Sequence, residues 1–147
     1  MKIVSLSEDK NFEKRIAVTP DIAKKYIDLG FELLLPENYG KHLGFEDDLY
    51  KKVGVEISKD ENNLIKNGDL IIQLGLPSEN KLQLIKEGQS LIGVLNPYDN
   101  KTKLEILAKK KINLFSLEKL PRITRAQSMD ILSSQANLAG YKAVVES

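Results

Sequence analysis

The chain has 147 residues, 41% hydrophobic and 29% charged, and its 22 basic and 21 acidic side chains leave a formal charge of +1. That length suits one domain able to bury roughly 70% of its unfolded surface, and the charge balance argues against a nucleic-acid-binding protein, which carries a basic surplus. No apolar run approaches the ~18 residues of a membrane span, and the absence of cysteine excludes disulfides, thiol catalysis and cysteine metal sites and fits a cytosolic setting.

Met1-Lys2-Ile3-Val4-Ser5-Leu6 reads as a first strand and is too short in apolar content for a signal peptide. The first helix is marked at both ends: Thr19 as cap, Pro20 in the first turn and Gly30 as a left-handed exit. Ile22, Ala23, Tyr26 and Ile27 recur between them at helical spacing, which predicts one buried stripe. Strands are predicted at residues 2–6, 31–35, 55–57, 70–74, 91–95 and 112–117, and helices near 46–53, 60–66, 79–87 and 101–110. Leu70-Ile71-Ile72-Gln73-Leu74 is a near-continuous aliphatic run, as in a strand covered on both faces. The fold class that follows is α/β, Rossmann-like or flavodoxin-like, a mostly parallel sheet flanked by helices. Asn100 and Glu105 open the fifth helix and Lys109, Lys110 and Lys111 close it, which suits the macrodipole. A final helix is expected from about Thr124 to Ser147, leading as a connector toward a further subdomain.

Polar side chains concentrate where the sixth strand hands over to that last helix. Arg122 and Arg125 flank the junction, and Gln127, Asp130, Ser133 and Ser134 follow. At about 100° per residue, Gln127, Asp130, Ser133, Ser134 and Asn137 share an arc of about 120°. Met129, Leu132, Ala136, Ala139 and Ala143 occupy the opposite arc and are expected to pack on the sheet or on another helix. An amide, a carboxylate and hydroxyls suit an amide-bearing ligand, and arginine adds a planar fork for a carboxylate, phosphate or carboxamide oxygen. No histidine or cysteine stands near Ser128, Ser133 or Ser134 to activate a nucleophile, so the segment reads as a binding and orienting surface. On spacing alone, capping by residues 124–127 and an Asp130–arginine ion pair explain the same residues equally well.

A second constellation, Glu13-Lys14-Arg15-Ile16-Ala17-Val18-Thr19-Pro20, follows the first strand and brings Arg15 toward the C-terminal edge of the sheet. A pairing of Arg15 with Glu13 or a carbonyl is the competing structural reading. His42 is read as a loop residue, and one histidine cannot build a multi-histidine metal centre.

The pattern Glu13-x-Arg15-Ile16-Ala17-x-Thr19-Pro20 resembles the N-terminal signature shared by alanine dehydrogenases and proton-translocating NAD(P) transhydrogenases. Pro121 to Asp130, together with Ser133-Ser134-Gln135-Ala136-Asn137-Leu138-Ala139-Gly140-Tyr141, resembles the transhydrogenase branch, and the likeness runs over essentially the whole chain. The resemblance implies the first of two α/β subdomains of the NAD(H)-binding alpha component. In it Arg122, Gln127 and Asp130 would position the nicotinamide, and with Ser133 they would contact NAD(H). NADP(H) would be held by another component, and no metal is implied. Partners implied are the missing dinucleotide-binding subdomain, the NADP-binding and membrane components, and a second copy in a homodimer. The implied place is the cytoplasmic side of the inner membrane, with hydride transfer coupled to proton movement by a membrane component.

Alanine dehydrogenases carry a substrate-binding lysine where this chain has Gln73 and a catalytic histidine where it has Asn96, which leaves Arg15 alone of that set. Glutamine supplies no positive charge and asparagine is no general acid at neutral pH. A divergent amino-acid dehydrogenase or a non-enzymatic regulatory module are therefore the alternatives. No G-x-G-x-x-G occurs, the glycines at 68, 75, 88 and 93 being wrongly spaced, so the segment alone is expected to bind NAD weakly or not at all and to be inactive.

Overall fold

The computed structural model describes all 147 residues. Six strands, β1 (Lys2–Ser5), β2 (Glu32–Pro36), β3 (Glu56–Ser58), β4 (Leu70–Ile72), β5 (Ser90–Gly93) and β6 (Asn113–Ser116), form one all-parallel sheet in the order β3-β2-β1-β4-β5-β6. The helices are α1 (Pro20–Asp28), α2 (Asp47–Lys52), α3 (Glu61–Asn67), α4 (Glu79–Leu84), α5 (Lys101–Lys109) and α6 (Ile131–Glu146). This is the doubly wound, Rossmann-like arrangement expected from the alternation of aliphatic runs and amphipathic segments.

Parallel strands put alternate side chains on opposite faces, and the register sorts the core accordingly. Val4, Leu34, Ile71 and Leu91 meet Leu64 and Ile65 of α3, Leu82 of α4 and Leu107 of α5 on one face. Ile3, Leu33 and Leu35 meet Ala23 of α1 and Tyr50 of α2 on the other. Helix α1 is capped as its sequence predicts: Thr19 Oγ1 accepts from Ile22 N at 3.4 Å, and Gly30 takes φ +85° at the exit. Asn100 does not cap α5 through its side chain; its Nδ2 donates instead to Leu95 O at 3.0 Å, tying the helix start back to the end of β5.

The polar core is small and satisfied at its two main posts. Tyr39 and Tyr50 meet edge to face, with ring centroids 6.0 Å apart. The Tyr39 hydroxyl accepts from Ala17 N at 3.0 Å and Val18 N at 3.2 Å and lies 2.7 Å from Ser5 Oγ, while the Tyr50 hydroxyl donates to Val18 O at 3.0 Å. The segment that carries Glu13 and Arg15 is thereby pinned to β1 and α2. Across the sheet, Gln89 Nε2 donates to Ile65 O at 2.7 Å and to Gly68 O, and its Oε1 accepts from Lys86 N at 2.5 Å.

The last helix departs from its expected form in two ways. Residues Thr124–Met129 form a 3-10 turn, and the α-helix begins only at Ile131, with Asp130 in an extended conformation as its cap. The single helical phase expected to join Gln127 to Ser133 is therefore broken at Asp130. The apolar arc also lacks the expected partner: Met129 and Leu132 are exposed, as are Ala136, Ala139 and Ala143, and no residue of α6 is buried. Gly140 on the same helix faces open space, with no atom near where a Cβ would stand.

Candidate functional site

Strand order reverses direction between β1 and β4, and ligands of open α/β sheets bind at the C-terminal edge beside such a reversal. Here the chain leaving β1 supplies Glu8 and the chain leaving β4 supplies Gln73. Glu8 Oε1 accepts from Leu74 N at 2.6 Å, and Oε2 accepts from Gln73 Nε2 at 3.1 Å. Burial pushes the Glu8 carboxyl above its ordinary range, against the lowering effect of those hydrogen bonds. Gln73 is buried, and its Oε1 has no hydrogen-bond partner. A cavity of about 510 Å³, with Ser7, Glu8, Glu13, Gln73 and Lys81 on its wall, opens over this point. Gly93 is required beside it, because a Cβ there would collide with Gln73 O.

Arg15 reaches the same edge, as its place after β1 predicts. Its Nε donates to Glu13 Oε1 at 2.9 Å and its Nη2 to Glu13 Oε2 at 2.7 Å, so the pairing with Glu13 is also present. The bidentate contact holds the Glu13 carboxyl below its usual range. Arg15 Nη1 donates to Gln135 Oε1 on α6 at 2.8 Å, a bond over 120 residues that clips the helix to the sheet edge. Arg15, Gln73, Leu74, Val94 and the start of α6 line a further cavity of about 380 Å³. His42 sits on a 3-10 turn, and its Nε2 lies 2.7 Å from Lys14 O, bracing the loop that presents Arg15.

The strand-to-helix junction forms a separate concavity of about 420 Å³, lined by Arg122, Ala126, Gln127, Asp130 and Ser133. The 3-10 turn and the cap at Asp130, rather than one helical face, bring these side chains around a common space. Asp130 Oδ1 accepts from Leu132 N at 3.1 Å and Ser133 N at 3.0 Å, and Oδ2 accepts from Ser133 Oγ at 2.6 Å. Ser133's hydroxyl and backbone N–H hold the Asp130 carboxyl below its usual range, so it is ionised at neutral pH. Ser134 Oγ donates to Asp130 O at 2.8 Å and Ala126 is buried beneath the turn. The side chains of Arg122 and Gln127 make no hydrogen bond or ion pair within the chain, and both are exposed. Arg125 is also exposed and does not line the concavity. Neither ordinary explanation of the segment holds: Asp130 makes no ion pair with an arginine, and α6 is capped by Asp130 itself, not by residues 124–127.

The donor set suits a ligand bearing an amide or an oxyanion: a guanidinium and an amide free to bond, beside a carboxylate whose geometry is fixed. No group of three or more histidine, cysteine, aspartate or glutamate side chains is placed to hold a metal ion. No helix is long and apolar enough to cross a membrane.

Glu8 is the site residue that residue-type reasoning passed over. Its signal was positional: it is the first carboxylate after β1, at the point where the strand order reverses.

The chain is 39% identical to the first part of NAD(P) transhydrogenase subunit alpha from Rickettsia prowazekii (strain Madrid E) and 37% identical to the protein of the same name from Rhodospirillum rubrum. In each case 99% of this chain aligns with 39% of the relative, so the chain spans about two fifths of the length of the curated relatives it matches. Among solved structures it superposes on transhydrogenase from Sinorhizobium meliloti with a TM-score of 0.88 and 34% identity, covering 97% of this chain and 43% of that one. Residues 5–139 match the family described as alanine dehydrogenase/PNT, N-terminal domain, and the chain belongs to that family.

Proposed function

We propose that this domain is the first subdomain of the NAD(H)-binding alpha component of a proton-translocating NAD(P) transhydrogenase, and that its junction concavity positions the nicotinamide of NAD(H). The observation that carries the reading is the convergence of Arg122, Gln127, Asp130 and Ser133 on one concavity, with Arg122 and Gln127 free of internal partners. Similarity to transhydrogenase alpha subunits over nearly the whole chain supports the same reading.

In this account Arg122 donates to the carboxamide oxygen through its planar fork, and Gln127 bonds to either end of the carboxamide. Ser133 spends its proton on Asp130 Oδ2, which leaves its oxygen as an acceptor for the carboxamide N–H. Asp130 keeps that hydroxyl oriented and places a negative charge beside the ring. The bound nicotinamide nucleotides supply the redox chemistry: hydride passes from NADH to NADP+ held by another component. The residues of this chain contribute orientation, which lowers the barrier by fixing a near-attack geometry. The main part of the NAD(H) site then belongs to a dinucleotide-binding subdomain outside residues 1–147. A homodimer of the NAD-binding component, at the cytoplasmic face of the inner membrane, completes the reading.

The alternative of a divergent amino-acid dehydrogenase is disfavoured by Gln73 and Asn96, neither of which offers the charge or the proton that pyruvate amination needs. The deciding experiment assays the complete component in its assembly with NADPH plus an NAD analogue, and separately with NADH, pyruvate and ammonia. Turnover is expected in the first mixture and not in the second; the reverse result would sink the transhydrogenase reading, and silence in both would favour a regulatory module.

A further inference from the structure

We infer that Arg15 is a positioning residue for hydride transfer: through Gln135 it fixes helix α6, and with it the direction in which Ser133 faces the junction concavity. The inference rests on the reading of that concavity as a nicotinamide-orienting site.

Helix α6 needs a fastening of this kind. It buries none of its residues, and in its first two turns only Ile131 is half-buried. Apolar packing therefore does little to hold its axis or its rotation. Its side chains make one hydrogen bond to the rest of the domain, the 2.8 Å bond from Arg15 Nη1 to Gln135 Oε1. The other side-chain hydrogen bonds and the ion pair of α6 stay within residues 130–147.

The sheet side of that bond is rigid. The Arg15 guanidinium commits Nε and Nη2 to the two carboxylate oxygens of Glu13, at 2.9 and 2.7 Å, which leaves Nη1 aimed in one direction. The backbone on either side is braced. Lys14 O lies 2.7 Å from His42 Nε2, and Ala17 N and Val18 N donate to the buried Tyr39 hydroxyl. A lysine has no planar fork to divide between two partners in this way.

The helix side carries the link to the site. Gln135 follows Ile131 by four residues, so the two share a face, and with Arg15 they line the same cavity at the sheet edge. Ser133, two residues before Gln135, stands about 200° away around the helix and lines the junction concavity with Asp130. The Asp130 cap fixes where α6 begins but leaves the helix free to swing and turn about that point. A bond more than one turn further along removes that freedom. Cap and strut together then hold the Ser133 hydroxyl in one direction relative to Arg122 and Gln127. Loss of the strut is a loss of orientation, which slows transfer more than it weakens binding.

The test measures single-turnover hydride transfer and equilibrium NADH affinity in the complete assembled enzyme. Arg15→Met and Gln135→Leu are each expected to slow transfer about fivefold or more while affinity changes less than about threefold. The double variant should fall within about twofold of the slower single variant, because both changes remove the same bond. Gln135→Glu, whose carboxylate accepts from the same Nη1, should transfer hydride at close to the parent rate. Both residues are exposed, so the fold does not depend on either side chain. Parent-rate transfer in Arg15→Met or Gln135→Leu overturns the inference, as does a double variant slowed by the product of the two single effects. Gln127→Ala on the same preparation separates the two readings. Transfer slowed by Gln127→Ala but not by loss of the strut removes the strut and leaves the nicotinamide reading. The coupled loss at residues 15 and 135, with Gln127→Ala at the parent rate, does the opposite.

Discussion

Asp130 serves the helix and the concavity at once, and Ser133 is what links the two roles. The carboxylate stays ionised because Ser133 donates to it twice, through the hydroxyl and the backbone N–H, with Leu132 N adding a third bond. Ser133→Ala removes the hydroxyl bond, which is the largest cause of the lowering. The Asp130 carboxyl should then titrate closer to the ordinary carboxylate range, as read from its side-chain carbon in an NMR titration; an unmoved midpoint would show that the backbone bonds alone hold it. The tyrosine pair makes a prediction of opposite pH sign. Burial raises the Tyr39 and Tyr50 hydroxyls above their ordinary range, so the folded state prefers them neutral. Their contribution to stability is intact below the unfolded tyrosine pKa of about 10 and is lost as pH climbs through the higher folded values. Tyr39→Phe leaves Ala17 N, Val18 N and Ser5 Oγ without their partner and should cost about 1–3 kcal/mol in denaturant unfolding at neutral pH. It should also flatten the alkaline loss.

At the scale of elements, much of the architecture was legible because each signal was local. Thr19, Pro20 and Gly30 mark α1 through capping chemistry and a left-handed exit, and the aliphatic runs of β4 and β5 mark buried parallel strands. The junction was legible as a cluster of residue types but not as a shape. A periodic reading runs one helix from Thr124, whereas Asp130 halts the 3-10 turn and begins the helix anew, since its side chain satisfies the first free N–H groups of α6. The expected packing of Met129 and Leu132 failed for a different reason: helical phase says which residues share a face, not whether anything lies opposite it. Gln89 shows the same limit in the core. In sequence it is a polar residue between Gly88 and Ser90; in the fold it joins the end of α3 to the turn before β5. Gln89→Ala leaves the Ile65 and Gly68 carbonyls and Lys86 N unpaired, and should lower unfolding stability by about 1–3 kcal/mol, measured by urea titration.

The whole molecule is a closed sheet core carrying an open edge. Its two clusters of buried residues account for the fold, while the polar concavities and helix α6, which buries none of its residues and is held at its start by Arg15, face outward. The chain aligns with about two fifths of the length of its transhydrogenase alpha relatives. The central claim is that the junction concavity orients the nicotinamide without supplying most of the binding energy. Its most direct test is Gln127→Ala in the complete enzyme, comparing single-turnover hydride transfer from NADH with the equilibrium affinity for NADH. The account predicts transfer slowed by at least about tenfold with affinity changed less than about threefold, the signature of lost orientation. Hydride transfer at the parent rate, or a loss confined to NADH affinity, would contradict it.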